Sequence, residues 1–156
     1  MKPESITVKN IEAAFAGESM AHIKYMYFAK IARAAGDVET AKVFEETAAQ
    51  EVQHAFGHMD LLYPADQLTP AKCLEMAIAG ETYEYTEMYP KFRHLAEQEG
   101  NAAAVQEMDE QIEESKEHAA RFQATLAKAA KRFAALAKVE ERHANQYRAR
   151  LAKAAA

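Results

Sequence analysis

Four long stretches of the chain place apolar residues at alternating steps of three and four, the spacing of one face of an α-helix. The stretches cover residues 7–35, 38–63, 70–99 and 102–154. Gly36, Gly100 and a segment bracketed by Pro64 and Pro70 separate them. Pro90 lies inside the third stretch and predicts a kink there. The pattern predicts an all-α protein of four helices, with a crossover connection between the second and third, in one domain of 156 residues.

The residues predicted to face inward include carboxylates among apolar side chains. In the first two helices they are Ile11, Phe15, Glu18, His22, Tyr25, Ala29 and Ala32, then Ala41, Phe44, Ala48, Glu51, Ala55, His58 and Leu62. In the third they are Leu74, Ile78, Glu81, Tyr85, Met88, Phe92 and Leu95. In the fourth they run Val105, Met108, Ile112, Ser115, Ala119, Phe122, Leu126, Ala129, Phe133, Leu136, Glu140, His143 and Tyr147. Because an ionised carboxylate in a core costs several kcal/mol without a cation, this pattern indicates bound metal.

Glutamate and histidine occur twice at a spacing of three residues. One pair is Glu51 with His54, and the other is Glu140 with His143. Residues three apart on a helix project from the same side, so each pair can face one metal. A single pair of this kind is common by chance on solvated helices. The prediction of metal binding therefore depends on the combination of both pairs with the other inward carboxylates.

Two Gly-Glu dipeptides in similar contexts add one carboxylate each from the first and third helices, at Glu18 and Glu81. Two helices with one glutamate and two with Glu-x-x-His form the ligand set of a dinuclear metal site in a four-helix bundle. Oxygen and imidazole ligands without thiolates suit iron, manganese or zinc. Glu84, three residues after Glu81, is a spare carboxylate on much the same face.

The fourth stretch contains an internal repeat. Residues 115–122 align with residues 140–147 at an offset of 25, which nearly preserves the inward face of a helix. His54 lies 18 residues after Gly36, and His118 lies 18 residues after Gly100. By that count the first copy of the repeat occupies the position of the fourth helix's metal ligands, but it has Ser115 where a glutamate is expected. The complete Glu-x-x-His, Glu140 with His143, comes 25 residues later.

A straight fourth helix would place Glu140 about 37 Å beyond Ser115. The chain could fold back near Ala129, or the helix could pair antiparallel with that of a second copy and cross it near Ala129. Either arrangement brings the complete Glu-x-x-His level with the first copy. Since no turn residue lies there, we favour exchange within a homodimer. The rival is a site that uses Glu117 or His118 from the first copy.

Composition narrows the classes of function. The chain is 49% hydrophobic and 28% charged, with a net charge of −5 that offers no basic surface to nucleic acid or an anionic membrane. No apolar run approaches the roughly 20 residues of a membrane span. Residues 1–5 lack the apolar core of a secretory signal, and the single cysteine, Cys73, suits a reducing compartment. We therefore expect a cytoplasmic protein.

Four segments of the chain resemble the rubrerythrins, a family of the ferritin-like superfamily. They are residues 15–21, the Glu51/His54 pair, residues 79–90 and residues 137–144. The resemblance implies a ferritin-like four-helix bundle, and the 25-residue repeat, which the resemblance does not cover, predicts an extended or doubled final helix. The resemblance also implies a non-haem di-iron centre that reduces hydrogen peroxide and can oxidise ferrous iron.

The resemblance also implies a role for each candidate ligand. Glu51 and Glu140 would be the carboxylates that bridge the two metals. Glu18 and Glu81 would be terminal carboxylates, and His143 would be the constant histidine ligand. The pair that takes part most directly in the reaction is His54, bound in the reduced state, and Glu84, bound in the oxidised state.

A rubredoxin domain is missing from the sequence, so the resemblance is to a short erythrin or symerythrin-like form. Peroxide or dioxygen would then be reduced with electrons from another protein, such as a rubredoxin. Two alternatives stay open: a ferroxidase or iron-handling protein, and a metal-stabilised helical module that mediates interactions without turnover.

Overall fold

The computed structural model describes residues 5–154, which are helical apart from short connections. The α-helices are α1 (Ile6–Ala34), α2 (Val38–Leu62), α3 (Pro70–Tyr83), α4 (Tyr89–Gln98) and α5 (Ala102–Ala154), with a 3-10 turn at Ala65–Gln67 and a π-helical turn at Glu84–Met88. These residues include no strand, which confirms the all-α class. Within the same range, every helix is too short or too polar to cross a membrane. Residues 1–4, which bear on the prediction about a secretory signal, lie outside the described residues.

The chain divides into two compact units, and each is described by itself. The hairpin unit, Met1–Leu68, contains α1 and α2, and the long-helix unit, Thr69–Ala156, contains α3, the π-turn, α4 and α5. Seven residues, 63–69, connect α2 to α3. That the whole chain acts as one domain stays a prediction.

The hairpin unit consists of α1 and α2 joined by a tight turn. Gly36 adopts φ +82, a left-handed conformation that favours glycine, and Asp37 caps α2 by accepting a hydrogen bond of 3.0 Å from the Thr40 amide. Every predicted inward position of both helices is at most partly exposed, and the fully buried ones are Ala29, Ala41, Ala48 and Ala55. Because alanine is small, the two backbones pack closely along this seam.

Two further contacts fix α1 against α2. The Arg33 guanidinium donates to both carboxylate oxygens of Glu45, at 2.8 and 2.7 Å. This pairing raises the pKa of Arg33 and lowers the pKa of Glu45. Near this end of the hairpin, the rings of Tyr25, Phe28 and Phe44 contact one another, with the two phenylalanine rings edge to face at 5.5 Å.

The predicted third helix exists, and a π-turn that ends just before Pro90 interrupts it. The Tyr89 amide donates to the Glu84 carbonyl, five residues back, instead of the usual four. Pro90 has no amide hydrogen, and in a regular α-helix its ring would clash with the carbonyl of Thr86. The wider turn immediately before the proline accommodates that ring.

The π-turn shifts the inward face of the helix by one residue. Before the turn, Ile78 and Glu81 are partly buried as predicted, and so are Tyr85 and Met88 within it. After it, Phe92 and Leu95 are 45% and 46% exposed, whereas Ala96 is buried at 9%. The predictions for Phe92 and Leu95 are therefore wrong, because a regular period of 3.6 residues does not account for the extra residue of the turn.

The last helix, α5, is one uninterrupted helix of 53 residues. It runs straight through Ala129 as α-helix, so the predicted alternative of a fold-back at that position is wrong. Its N-terminal part packs against α3 and α4, and Ser115 and Ala119 there are each only 3% exposed. An ion pair between Arg93 and Asp109 also joins α4 to α5.

Candidate metal centre

Three of the predicted ligands form a cluster in the hairpin unit. Glu18 on α1 and Glu51 and His54 on α2 each offer one ligand atom, and the three atoms lie within 4.8 Å of one another. His54 Nδ1 lies 2.9 Å from Glu51 Oε2. Glu18 and Glu51 are partly buried, and His54 is exposed. The Glu-x-x-His spacing and the inward phase of Glu18 therefore predicted this cluster correctly as a group of neighbours.

The two glutamates of this cluster affect each other's charge. The hydrogen bond from Glu18 to Glu51 raises the pKa of Glu18, and partial burial and the negative charge of Glu51 raise it further. Two carboxylates at this distance repel each other when both are ionised. A divalent cation relieves that repulsion, so the cluster has the charge and the donor atoms of a metal site.

His22 lies near this cluster but is engaged elsewhere. Its Nδ1 donates to the backbone carbonyl of Ala48 at 2.9 Å, which ties α1 to α2. A carbonyl only accepts, so this nitrogen carries the hydrogen. His22 is therefore a hydrogen-bonded histidine of the seam between α1 and α2.

The long-helix unit brings together two more of the predicted ligands, Glu81 on α3 and Glu84 at the start of the π-turn. The Ser115 hydroxyl donates to Glu84 Oε2 at 3.0 Å, and His118 Nδ1 lies 3.5 Å from Glu81 Oε1. The other oxygen of Glu81 is buried and has no hydrogen-bond partner among the residues described. A buried carboxylate oxygen without a donor is costly, and a bound cation would satisfy it.

Tyr89 adds to the electrostatics of this second cluster. Burial raises the pKa of Tyr89 first, and the negative charges of Glu84 and Glu81 raise it further. Its phenol therefore stays protonated beside these carboxylates. Tyr89 is the first residue of α4, and the hydrophobic pattern alone gave it no particular role.

The remaining two predicted ligands lie far from the cluster of the long-helix unit. Glu140 and His143 lie on the exposed part of α5, with side chains 77% and 54% exposed and 3.9 Å between Glu140 Oε2 and His143 Nδ1. Since α5 is continuous, Glu140 lies about 37 Å along the helix from Ser115. The first copy of the repeat, with Ser115 and His118, is the one that contacts Glu84 and Glu81.

Comparison with known proteins identifies the family. The family model described as Rubrerythrin matches residues 9–126, which include the first copy of the repeat but end before Glu140. A rubrerythrin of Porphyromonas gingivalis is 39% identical over 79% of this chain and 67% of its own length. A rubrerythrin and a nigerythrin of Nitratidesulfovibrio vulgaris are 41% and 39% identical over 62% and 64% of this chain.

The matched part of the chain spans only 56% and 55% of the lengths of those two proteins of N. vulgaris. A solved structure of nigerythrin in its fully reduced state aligns with 81% of this chain and 70% of its own, at 33% identity and a TM-score of 0.41. The family match covers well over half of the sequence and includes Glu18, Glu51, His54, Glu81 and Glu84. This chain belongs to the rubrerythrin family.

Proposed function

We propose that the protein is a non-haem di-iron oxidoreductase that reduces hydrogen peroxide with electrons from an external donor protein. The rubrerythrin family is a family of di-iron oxidoreductases with a ferritin-like fold, and this chain belongs to it. The observation that carries the proposal is the cluster of Glu18, Glu51 and His54, whose ligand atoms lie within 4.8 Å of one another. Oxygen and imidazole donors without thiolate are the ligands expected for such iron.

The proposed ligands to two metal ions are the seven residues predicted from the sequence. They are Glu18, Glu51, His54, Glu81, Glu84, Glu140 and His143. Support for the first five comes from the two carboxylate clusters, each with a group that a cation would stabilise. These groups are the Glu18 carboxyl, whose pKa is raised by its hydrogen bond to Glu51, and the unpartnered oxygen of Glu81. Support for Glu140 and His143 is the Glu-x-x-His spacing alone.

When bound, two ferrous ions supply the two electrons that reduce hydrogen peroxide, with two protons, to two water molecules. The donor protein must then return two electrons per turnover. The protein's own residues balance charge. Because the hydrogen bond to Glu51 raises the pKa of Glu18, protons compete with metal at this cluster, and metal binding should weaken as the pH falls.

His54 and Glu84 are proposed to alternate on one metal with its oxidation state. The Ser115 hydroxyl supports this idea, because its 3.0 Å hydrogen bond gives Glu84 Oε2 a partner when the carboxylate is not a ligand. Glu84 also begins the π-turn, and π-turns in helices are frequent at functional sites. Crystals of the reduced and oxidised iron-loaded protein test it, and an unchanged metal position in both states would contradict it.

The function itself is tested by anaerobic loading with ferrous iron, elemental analysis, and addition of one equivalent of peroxide. We expect rapid formation of a ferric absorption, consumption of the peroxide, and recovery of the ferrous protein when a reduced donor is added. Faster oxidation by dioxygen than by peroxide would instead favour the ferroxidase. Tight zinc binding with no peroxide consumption would favour the structural module.

A matched pair of variants on α2 connects the result to the site. Glu51→Ala removes a cluster carboxylate, and Glu46→Ala removes an exposed carboxylate from the same helix. Iron content and peroxide consumption should fall in the first and stay at the wild-type level in the second. Full iron content in Glu51→Ala would overturn the ligand assignment.

A further inference from the structure

The two copies of the repeat on α5 divide one ligand set between them. The first copy reaches Glu81 and Glu84 but offers Ser115 where a glutamate is expected. The second copy has the glutamate, Glu140, but a continuous helix carries it about 37 Å away. No rotation of side chains within one chain closes that distance.

The far part of α5 also exposes an apolar face that continues from the buried face of its first part. This distal stripe consists of Phe133, Leu136, Tyr147 and Leu151, which are 68%, 51%, 66% and 75% exposed. Glu140 and His143 lie within the same stripe, since all six positions follow steps of three and four. Most of the stability of a helix comes from packing its apolar face, so this face needs a partner.

Charge indicates which partner covers it. Residues 102–126 of α5 carry six acidic and two basic side chains, whereas residues 127–154 carry eight basic and two acidic ones. Two copies of α5 packed side by side in antiparallel orientation therefore place an acidic half against a basic half at both ends. Parallel packing would oppose like charges along the whole length. The helix is complementary to a second copy of itself in one orientation only.

We propose that α5 of two copies pairs antiparallel about Ala129, so that Glu140 and His143 of each copy complete the metal centre of the other. A two-fold axis at Ala129 makes this contact isologous. It brings Glu140 level with the partner's His118, His143 level with the partner's Ser115, and Arg148 level with the partner's Glu110. The metal part of this inference rests on the proposed function, whereas the helix pairing does not.

Cross-linking tests the register of the pairing. Both variants are made in a Cys73→Ser background. Ala129→Cys places a thiol at the two-fold axis. Lys131→Cys places a thiol two residues further along, about 200° around the helix and so on its opposite side. Mild oxidation should convert most of the Ala129→Cys protein to a covalent dimer and leave Lys131→Cys largely monomeric on a denaturing gel. Equal cross-linking of both, or of neither, would overturn the register.

A charge swap tests the orientation independently of any new thiol. Glu110→Arg and Arg148→Glu should each weaken the dimer, measured by light scattering across a dilution series, and the double variant should restore it. In the double variant each pair is again oppositely charged, with the signs exchanged. Failure of the double variant to recover relative to the singles would contradict antiparallel pairing.

Iron content tests exchange of ligands between copies. Glu81→Ala and Glu140→Ala chains, carrying different affinity tags, are mixed under denaturing conditions, refolded, and purified through both tags. If Glu140 acts in trans, each mixed dimer has one intact centre and one doubly broken centre. Such dimers should regain about half of the wild-type iron, whereas each variant alone stays depleted.

The outcomes separate this inference from the proposed function. A wild type that binds iron as a monomer, or mixed dimers that regain none after both tags are verified, overturns the exchange and leaves the proposed function standing. If the Ala129→Cys protein forms the cross-link but the wild type binds no iron, the ligand role of Glu140 is overturned together with the proposed function. In that case the helix pairing alone would stand.

Discussion

Replacing Ser115 with glutamate should make the stability of this protein depend on metal. Ser115 is 3% exposed, and its hydroxyl lies 3.0 Å from Glu84 Oε2, so a carboxylate at this position lies within about 4 Å of another one. At an effective dielectric constant near 20, that repulsion amounts to about 4 kcal/mol. The new glutamate can escape it by taking up a proton, which costs about 3.7 kcal/mol at pH 7 from an ordinary pKa of about 4.3. The cost of keeping both carboxylates ionised and the cost of protonating one of them are therefore similar. We expect a loss of about 4 kcal/mol in the free energy of unfolding of the metal-free protein.

The sign of the pH dependence follows from this proton. A carboxyl group whose pKa is raised in the folded state binds more protons folded than unfolded, so stability falls as the pH rises. The penalty of Ser115→Glu should therefore shrink by about 1.4 kcal/mol per pH unit between pH 7 and pH 5. Ferrous iron or zinc should also remove most of this stability penalty at pH 7, because a glutamate at position 115 would form a Glu-x-x-His pair with His118 that can bind the metal.

Urea denaturation with and without metal measures these differences, and Ser115→Gln is the matched control. Glutamine has nearly the same size as glutamate and also loses the serine hydroxyl, but it carries no charge. If the glutamate and glutamine variants unfold at the same urea concentration without metal at pH 7, Ser115 does not occupy a ligand position. The same holds if added metal stabilises both variants equally.

Three further predictions concern the hairpin unit. Glu51→Gln should lower the iron content while leaving the metal-free protein at least as resistant to urea, because it removes the repulsion with Glu18 and keeps a hydrogen-bonding group; a metal-free variant that unfolds more readily would refute this. Ala48→Leu should lower the free energy of unfolding by about 1–3 kcal/mol, since Ala48 is 0% exposed at the seam of α1 and α2; an unchanged urea midpoint would be inconsistent with that packing. Arg33→Gln should destabilise the protein at neutral pH, and the difference from wild type should fade as the pH falls through the lowered pKa of Glu45; a difference that persists after Glu45 is protonated would show that the ion pair is not its cause.

The hydrophobic pattern predicted the inward face of the chain well wherever a regular helix packs against another. All fourteen inward positions named for α1 and α2 are buried or partly exposed, and so are those of α5 from Val105 to Ala129. A period of 3.6 residues identifies an apolar face because side chains repeat at that angle. A regular period does not account for the extra residue of the π-turn, so the pattern predicted Phe92 and Leu95 on the inward face, whereas both are exposed.

The same pattern could not tell whether an apolar face is covered. Phe133 and Leu136 continue the stripe of α5 without a break, yet they are 68% and 51% exposed in the chain as described. Periodicity reports which side of a helix is apolar, and only the rest of the structure shows what lies against it.

The candidate site was predictable in part for a related reason. Ligands within one helix, or on two helices of one hairpin, follow from spacing and phase, and Glu18, Glu51 and His54 were found in this way. The hydrogen bond of Ser115 to Glu84 depends on the axial alignment of α3 with α5, which no local pattern specifies. The duplication gave two candidates for that alignment, and the structure selects the first copy.

The π-turn at Glu84–Met88 should make this stretch unusually tolerant of a one-residue deletion. A π-turn holds about one residue more than an α-helix of the same length. The inward face includes Glu81 before the turn, and after the turn it has moved on by one residue to Ala96. Removing one residue within the turn would therefore return both segments to one regular helical face and leave Glu81 facing His118, although Pro90 would strain the regular helix. Among homologous sequences, a one-residue gap here should therefore occur in proteins that keep both the fold and Glu81.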